Sequence, residues 1–361
     1  MPASLNAKSR DDGTPPDRKR RVGEPLRYAR LDPLPQDQGW LTELSVVIPS
    51  YRSAGTIGRT IDSAIAEGVA PENIIVVEDG VFDDTAGVVR ACQGVRLISL
   101  ATNRGAPAAR NVGLDAVATR YVMFLDADDY VENGLLRGLV HTLEQERSDI
   151  AIGPWRYDGE GRRRGVARVP EKLTNDEWIC RWVQPVFFPP CCVVWRTDSV
   201  RRIGGWDQQL RTNDDGEVMI RAFLQGLAVS VSSSGNGVYW QHPSPYRVSI
   251  AKIDDLLHAT EVVFRQLETW ARSDARESNR TALGRYCCLT AWNAFASGRN
   301  EVGMQWRSRA KAYGFHAKGY SRTTTLLAAL LGIRLSSKIK DRFLRPGAFY
   351  KAISQRWGVA R

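Results

Sequence analysis

Five mostly apolar residues, Tyr121 to Leu125, run directly into Asp126, Asp128 and Asp129. The apolar run is rich in β-branched and aromatic types and predicts a buried strand. In an open α/β sheet, ligands bind outside the carboxyl ends of the strands. Carboxylates gathered there repel one another unless a cation lies between them. A hard divalent ion such as Mg²⁺ takes one or two carboxylates and completes its shell with substrate phosphates. The segment therefore reads as a metal and phosphate site. An Asp-x-Asp pair alone is more often an acidic turn or a helix cap, so the rest of the chain has to support the reading.

The flanking pattern supports it. Leu44 to Ile48, Asn73 to Val77, Val95 to Leu100, Tyr121 to Leu125 and Asp149 to Ile152 read as strands. Helical periodicity lies between them over 54–67, from Asp83 to about Cys92, after Asn103-Arg104-Gly105, and over about 132–146. Strands alternating with helices predict a mostly parallel, twisted sheet flanked by helices. Its strand ends bring Pro49 and Tyr51, Glu78 and Asp79, and Asp126 and Asp128 to one edge. No Gly-x-Gly-x-x-Gly follows the first strand, and there is no Walker loop. A nucleotide would need other contacts. Tyr51 could stack on a base, Asp79 could accept a ring N–H, and Arg110 could reach a phosphate. The ordinary roles of these residues are a packing aromatic, a turn former and a helix-surface charge.

Further along, Trp178, Trp182, Phe187 and Phe188 suit a sugar face, and Gly204-Gly205-Trp206-Asp207 reads as a tight turn beside an aromatic. Residues 159–165 read as a polar, Arg-rich hairpin or loop. Cys191 to Trp195 reads as a strand. Asp214 and Asp215 open an amphipathic helix, where acids are favoured by the macrodipole but where a general base could also point into the crevice. His242 follows a strand and is a candidate third metal ligand. From Lys252 onward the pattern is helical, over 253–270, 281–297, 302–313 and 324–343. The last of these is basic and amphipathic and suits an anionic membrane surface, or packing on the rest of the chain.

Composition narrows the partners. The 361 residues are enough for about two domains. Fifty basic against 40 acidic residues give a net charge of +10, which suits nucleic acid, anionic lipid or a negatively charged sugar donor. The six cysteines show no metal spacing, and a reduced, cytoplasmic protein is expected. No signal peptide is visible in the first forty residues, and no apolar run is long enough to span a bilayer.

Taken together, several stretches resemble the family 2 glycosyltransferases of the GT-A fold. They are Ser45 to Tyr51 (SVVIPSY), Val77 to Thr85 (VEDGVFDDT), Asn103 to Gly113 (NRGAPAARNVG), Phe124 to Asp129 (FLDADD), Gly204 to Asp207 (GGWD) and Asn213 to Asp215 (NDD). The resemblance implies a metal-dependent, inverting transfer of a sugar from a nucleotide-diphosphate donor, commonly a UDP-sugar, to an acceptor hydroxyl. The setting it implies is cell-surface polysaccharide or glycoconjugate synthesis. Pro49, Tyr51 and Asp79 would hold the nucleoside, Asp126 the donor's ribose or sugar, and Asp128 the Mn²⁺ or Mg²⁺ that bridges the diphosphate. Asp215 would be the base. Trp206, Asp207 and Asp214 would lie on the acceptor side, and His242 would complete the diphosphate site. The sequence departs from the family pattern at Arg52, usually Asn, at Glu78 and Val81, usually Asp and Ser, and at Asp214, usually Glu.

The expected organisation is a disordered basic arm over 1–40, a GT-A catalytic domain over 41–250 and a helical C-terminal region over 251–361 that could touch the membrane. Within the catalytic domain the nucleotide half is 44–130 and the acceptor half 131–250. The expected place is the cytoplasm, with the inner face of the cytoplasmic membrane and a lipid-linked or other saccharide acceptor in view. Two other readings compete. A sugar nucleotidyltransferase would want a basic Gly-rich loop after the first strand, and residues 49–55 supply a poor one. A basic nucleic-acid-binding protein would place an acidic cluster where phosphate must approach, and no base-stacking or zinc module is present. No nucleic acid partner is expected.

Overall fold

The structure, a computed structural model, describes residues 39–81, 83–159, 169, 173–183, 188–241, 253–274 and 276–315. The N-terminal arm up to 38, the Arg-rich stretch over 160–165, Phe187, His242 and the basic stretch over 324–343 lie outside the described residues.

A seven-stranded sheet forms the centre. In chain order its strands are β1 (Leu44–Ser50), β2 (Ile74–Glu78), β3 (Arg96–Ser99), β4 (Tyr121–Phe124), β6 (Ile150–Ile152), β8 (Val193–Arg196) and β9 (Val229–Val231). Their spatial order is β3-β2-β1-β4-β8-β6-β9. Pairing is parallel everywhere except on the two sides of β8, which runs antiparallel to β4 and β6. The sheet is thus mostly parallel, as expected.

A second sheet was not foreseen. β5 (Tyr130–Glu132), β10 (Asn236–Gln241) and β7 (Trp155–Gly159) lie in the order β5-β10-β7. Its first strand begins immediately after the acidic run. The helix expected from 132 therefore starts later, as α4 (Leu135–Gln145), after Asn133 and Gly134 turn the chain through left-handed backbone.

Helices cover both faces. On one face, α1 (Ile57–Ala66), α2 (Thr85–Ala91) and α4 bury Ile57, Ile61, Val89, Leu136 and Leu139 against Val46, Ile48, Ile74 and Val76. On the other lie α3 (Ala106–Asp115), α5 (Asn175–Trp182), α6 (Thr197–Arg202) and α7 (Asp214–Leu224), against Val47, Ile75, Val77 and Phe124. The alternation along β1 and β2 is the period-2 signature of a strand buried on both faces.

That second core continues into the C-terminal helices α8 (Ile253–Ser273), α9 (Glu277–Ala296) and α10 (Asn300–Ala312), through Val263, Phe264, Leu267, Leu283, Phe295 and Trp306. Fully burying one large apolar side chain is worth about 1.5–3 kcal/mol. An exposed i,i+4 ion pair such as Arg265–Glu261 adds only about 0.2–0.5 kcal/mol. Apolar burial therefore holds these helices to the sheet. Among the described residues no helix is long and apolar enough to cross a membrane.

Part of the basic excess is internal. Arg196 donates to the Ser148 and Leu143 carbonyls, Arg201 to those of Leu114 and Val117, and Arg221 to those of Ile203 and Gly205. These guanidinia tie loops together. None of the six cysteines forms a disulfide, and both vicinal pairs are buried.

Candidate active site

The crevice opens where β1 and β4 part. Their pairing ends at Val47 opposite Phe124, while β1 continues beside β2 to Ser50. Pro49 lies in that extension. It has no N–H to offer β4, which suits it to a strand end where the ladder has stopped. Tyr51 follows, half-buried, with the Arg52 guanidinium 5.6 Å from its ring centre. Arg52 sits at φ 51°, a left-handed conformation that Asn tolerates far better than Arg.

Asp79, one residue past β2, is buried. Its two carboxylate oxygens accept the Arg104 and Gly105 amides at 2.7 and 2.8 Å. It therefore pins the loop that leads into α3. In the next loop, Asp83 and Thr85 tie the β2 end to the β1 end, through the amides of Ala54 and Ser53.

The acidic loop after β4 is clamped through its backbone. Arg59 Nη2 donates to the Asp128 carbonyl at 2.7 Å, and Thr60 Oγ1 to the Ala127 and Asp129 carbonyls at 3.0 and 2.7 Å. From β10, the Trp240 amide donates to Asp129 Oδ1 at 2.9 Å. The Arg59 guanidinium lies 4.0 Å from the Trp240 ring centre and 4.6 Å from that of Tyr130. Asp129 is fully buried and structural, while Asp126 and Asp128 are only partly buried. Neither Arg59 nor Thr60 carries a sequence signal beyond its place on an amphipathic helix.

Arg110 is where the site converges. Expected to reach a phosphate, it is instead 3% exposed and committed to three carboxylates. Nη1 meets Asp214 Oδ2 at 2.5 Å, and Nη2 meets Asp126 Oδ1 at 2.7 Å and Asp215 Oδ2 at 3.4 Å. Burial alone would depress the guanidinium's pKa, but the three acids outweigh it and keep it charged. A buried cation is tolerable only when paired in this way. Asp126 and Asp215, 89 residues apart in sequence, thus share one nitrogen.

Asp214 and Asp215 begin α7 behind Asn213, whose φ of 54° turns the chain into the helix. Asp214 is buried on Arg110 and does not present the acceptor-side carboxylate expected of it. Burial raises its pKa, against the pull of the guanidinium. Asp215 keeps 29% of its side-chain surface, so a substrate proton can reach it. Burial pushes its pKa up to about 7; Arg110 opposes the rise, and Asp214 and Asp126 add to it.

Trp206, readable from the sequence as a ligand-side aromatic or equally as a core plug, is 4% exposed, with its ring 4.2 Å from that of Phe124. Its indole Nε1 donates to Asp215 Oδ1 at 3.0 Å. Its backbone is held at both ends by Asn111, which donates to the carbonyl at 2.8 Å and accepts the amide at 2.9 Å. Asp207 accepts the Gln209 amide in the following turn. Trp178 and Phe188 are buried in the core, and Trp182 stacks on Phe188, so these aromatics too are packing residues.

Among the described residues no three His, Cys, Asp or Glu side chains form a ligand cluster. Among the described residues the donors at the acidic loop are Asp128 with Asp126 beside it, both oxygen ligands; His242, the expected third ligand, lies outside the described residues. Carboxylates there fit a hard divalent cation that draws the rest of its shell from water and substrate phosphate.

Comparison with known proteins places this geometry. The sequence profile of glycosyl transferase family 2 matches residues 45–204. Succinoglycan biosynthesis protein ExoO of Rhizobium meliloti is 40% identical over 246 residues, a match covering 62% of this chain and 68% of that protein. The UDP-Glc:alpha-D-GlcNAc-diphosphoundecaprenol beta-1,3-glucosyltransferase WfaP of Escherichia coli is 32% identical over 132 residues, 36% of this chain and 53% of that one. In fold, the crystal structure of S. aureus TarS 1-349 in complex with UDP-GlcNAc superposes with a TM-score of 0.61 at 19% identity, covering 83% of this chain and 91% of that one. With its strand-end acids and mostly parallel sheet, the chain has the GT-A fold and belongs to the family 2 glycosyltransferases.

Proposed function

We propose that the protein is a metal-dependent, inverting glycosyltransferase. It would move a sugar from a UDP-sugar to an acceptor hydroxyl, in the synthesis of a cell-surface polysaccharide or glycoconjugate. The observation that carries this is the shared guanidinium. Arg110 holds a donor-side acid, Asp126, and an acid on the opposite half of the crevice, Asp215, within one constellation. The relatives named for succinoglycan synthesis and for transfer of glucose from UDP-Glc support the class of donor and product.

In this reading Asp215 accepts the proton of the acceptor hydroxyl as that oxygen attacks the anomeric carbon. A base works best with a pKa near the operating pH, where it contributes about 10²–10⁴-fold. A carboxylate raised to about 7 meets that condition. Trp206 keeps one oxygen oriented and Arg110 keeps the carboxylate ionisable despite burial. Direct attack by the acceptor oxygen, with no covalent enzyme intermediate, is a single displacement and inverts the anomeric carbon. Tyr51 stacks on the base of the nucleotide, and Asp79 keeps the adjoining loop in shape for it. Asp128, with Asp126 beside it, would hold Mn²⁺ or Mg²⁺. Such an ion, when bound, supplies Lewis-acid stabilisation of the departing diphosphate. The catalytic unit would span 41–250; of the C-terminal region over 251–361, the described helices α8 to α10 pack on it, and a membrane-facing role is proposed for the basic stretch over 324–343.

A panel of nucleotide-sugars, each with and without Mn²⁺, tests the donor by thermal shift, because ligand bound only by the folded state raises the melting temperature. A UDP-sugar should give the largest rise, and only with the metal. No response to any nucleotide-sugar would refute the reading. NMR of the product's anomeric carbon tests inversion.

A further inference from the structure

The site's best-supported neighbour lies beyond the family match. Arg221, on α7, donates Nη2 to the Gly205 carbonyl at 2.8 Å and Nη1 to the Ile203 carbonyl. These are the carbonyls of the turn that delivers Trp206. The same guanidinium is gripped by Glu217, Nε to Oε1 at 2.8 Å and Nη2 to Oε2 at 2.7 Å. Glu217 is 1% exposed, and a carboxylate there persists only if it is paired and hydrogen-bonded. Its remaining partner comes from another region of the chain: Gln266 on α8 donates Nε2 to Oε1 at 2.8 Å.

Gln266 does little else. Its Oε1 is buried with no hydrogen-bond partner, which is destabilising. An apolar residue of the same size would avoid that cost. What the side chain contributes is its one good contact, the one to Glu217. The turn itself has no slack. Gly205 has a φ of 63°, and a Cβ there would lie 2.5 Å from Asn111 Oδ1.

We propose that Arg221, oriented by Glu217 and by Gln266 from the C-terminal helices, is a positioning residue for the catalytic base: it fixes the Gly204–Trp206 turn and, through the Trp206 indole N–H, the orientation of Asp215. The inference rests on the reading of Asp215 as the base. It makes the helical region part of the active-site machinery. A one-ångström misplacement at a catalytic group costs on the order of 100-fold in rate, so a relay of buried, charge-assisted hydrogen bonds is a fitting support. The charged groups facing Asp215 are Arg110 from α3, Asp126 from the loop after β4, and Asp214 beside it.

The Trp206 indole resonance reads this directly. In ¹⁵N–¹H spectra of the full chain, Trp206→Phe identifies its signal among those of the eleven tryptophans. In the wild type that signal should titrate with Asp215, and Asp215→Asn should abolish the titration. Arg221→Lys keeps the charge but loses the fork. Gln266→Met keeps the volume but loses the donor. Both should displace the Trp206 signal and raise its titration midpoint by about one to two pH units, since a lost charge-assisted hydrogen bond no longer favours the ionised carboxylate. Arg201→Lys alters an arginine that clamps carbonyls elsewhere and should leave the signal in place.

If the signal keeps its wild-type position in both Arg221→Lys and Gln266→Met, the relay is refuted. The same follows if Arg201→Lys displaces it equally. A wild-type signal that does not titrate at all refutes the base reading instead, and the displacement in the variants still judges the relay.

Discussion

Asp215→Asn should stabilise the protein while abolishing transfer, and its effect should depend on pH in a fixed direction. The wild-type carboxyl is raised from 3.8 to about 7 in the fold. A raised folded pKa means the native state holds a proton that the unfolded chain releases. Stability from this group is therefore complete below about pH 4 and lost as pH rises through 7. Three pKa units set a ceiling of about 4 kcal/mol. Three features reduce it. The side chain retains 29% of its surface, the 3.4 Å contact with Arg110 disappears, and a negative charge at a helix N-terminus is worth about 0.3–1 kcal/mol. Asn, which is neutral in both states and still accepts the Trp206 N–H, should thus exceed the wild type by about 1–3 kcal/mol at pH 8. At no more than about 2–4 °C per kcal/mol for a chain at least this long, the melting temperature rises by up to about 2–12 °C. The gap should shrink at pH 5 and close near pH 4. Thermal melts of both proteins without nucleotide or divalent ion, at pH 8 and pH 5, decide it. A variant that melts below the wild type at pH 8, or by the same margin at both pH values, refutes this account of the acidic cluster.

Two further substitutions probe neighbouring parts of the argument. Arg110→Gln leaves Asp126 and Asp214 without their cation and should cost about 3–5 kcal/mol near neutral pH, less at pH 5, because burial already raises the pKa of Asp214 and it takes up a proton there; urea melts at the two pH values measure it, and a loss under 1 kcal/mol would contradict the pairing. Arg52→Asn places a residue tolerant of left-handed backbone at φ 51°. It should stabilise by a few tenths to about 1 kcal/mol, net of a weak contact with Tyr51; a destabilised variant in the same melts would show that the contact outweighs the strain.

The sheet was legible because β1, β2 and β4 are mostly apolar runs rich in β-branched and aromatic residues, each followed closely by Pro, Gly or Asp. The acids after β4 were legible for the same reason: a strand end fixes where they must lie. The second sheet was not. Tyr130–Glu132 is three residues long and follows three aspartates, so its register is set by Val238 and Asn236 across the chain and not by local pattern. Arg110 was expected at a phosphate and is buried among carboxylates, and Trp206 was open between a ligand-side aromatic and a core plug. A helical arginine and an aromatic after two glycines read the same whether they face solvent or core. What buries them is the meeting of α3 with α7, a contact between residues about 100 positions apart. Gln266 has no sequence signature, since an amide on an amphipathic helix declares nothing of the single acid it serves.

The central claim is that the two halves of the crevice divide the labour, with Asp128 serving donor binding and Asp215 serving proton transfer. Calorimetric titration of UDP with Mn²⁺ into the wild type, Asp128→Ala and Asp215→Asn tests it most directly. Binding should persist in Asp215→Asn and be lost, or weakened to the level seen without metal, in Asp128→Ala. Unchanged binding in Asp128→Ala, or its loss in Asp215→Asn alone, would contradict the account.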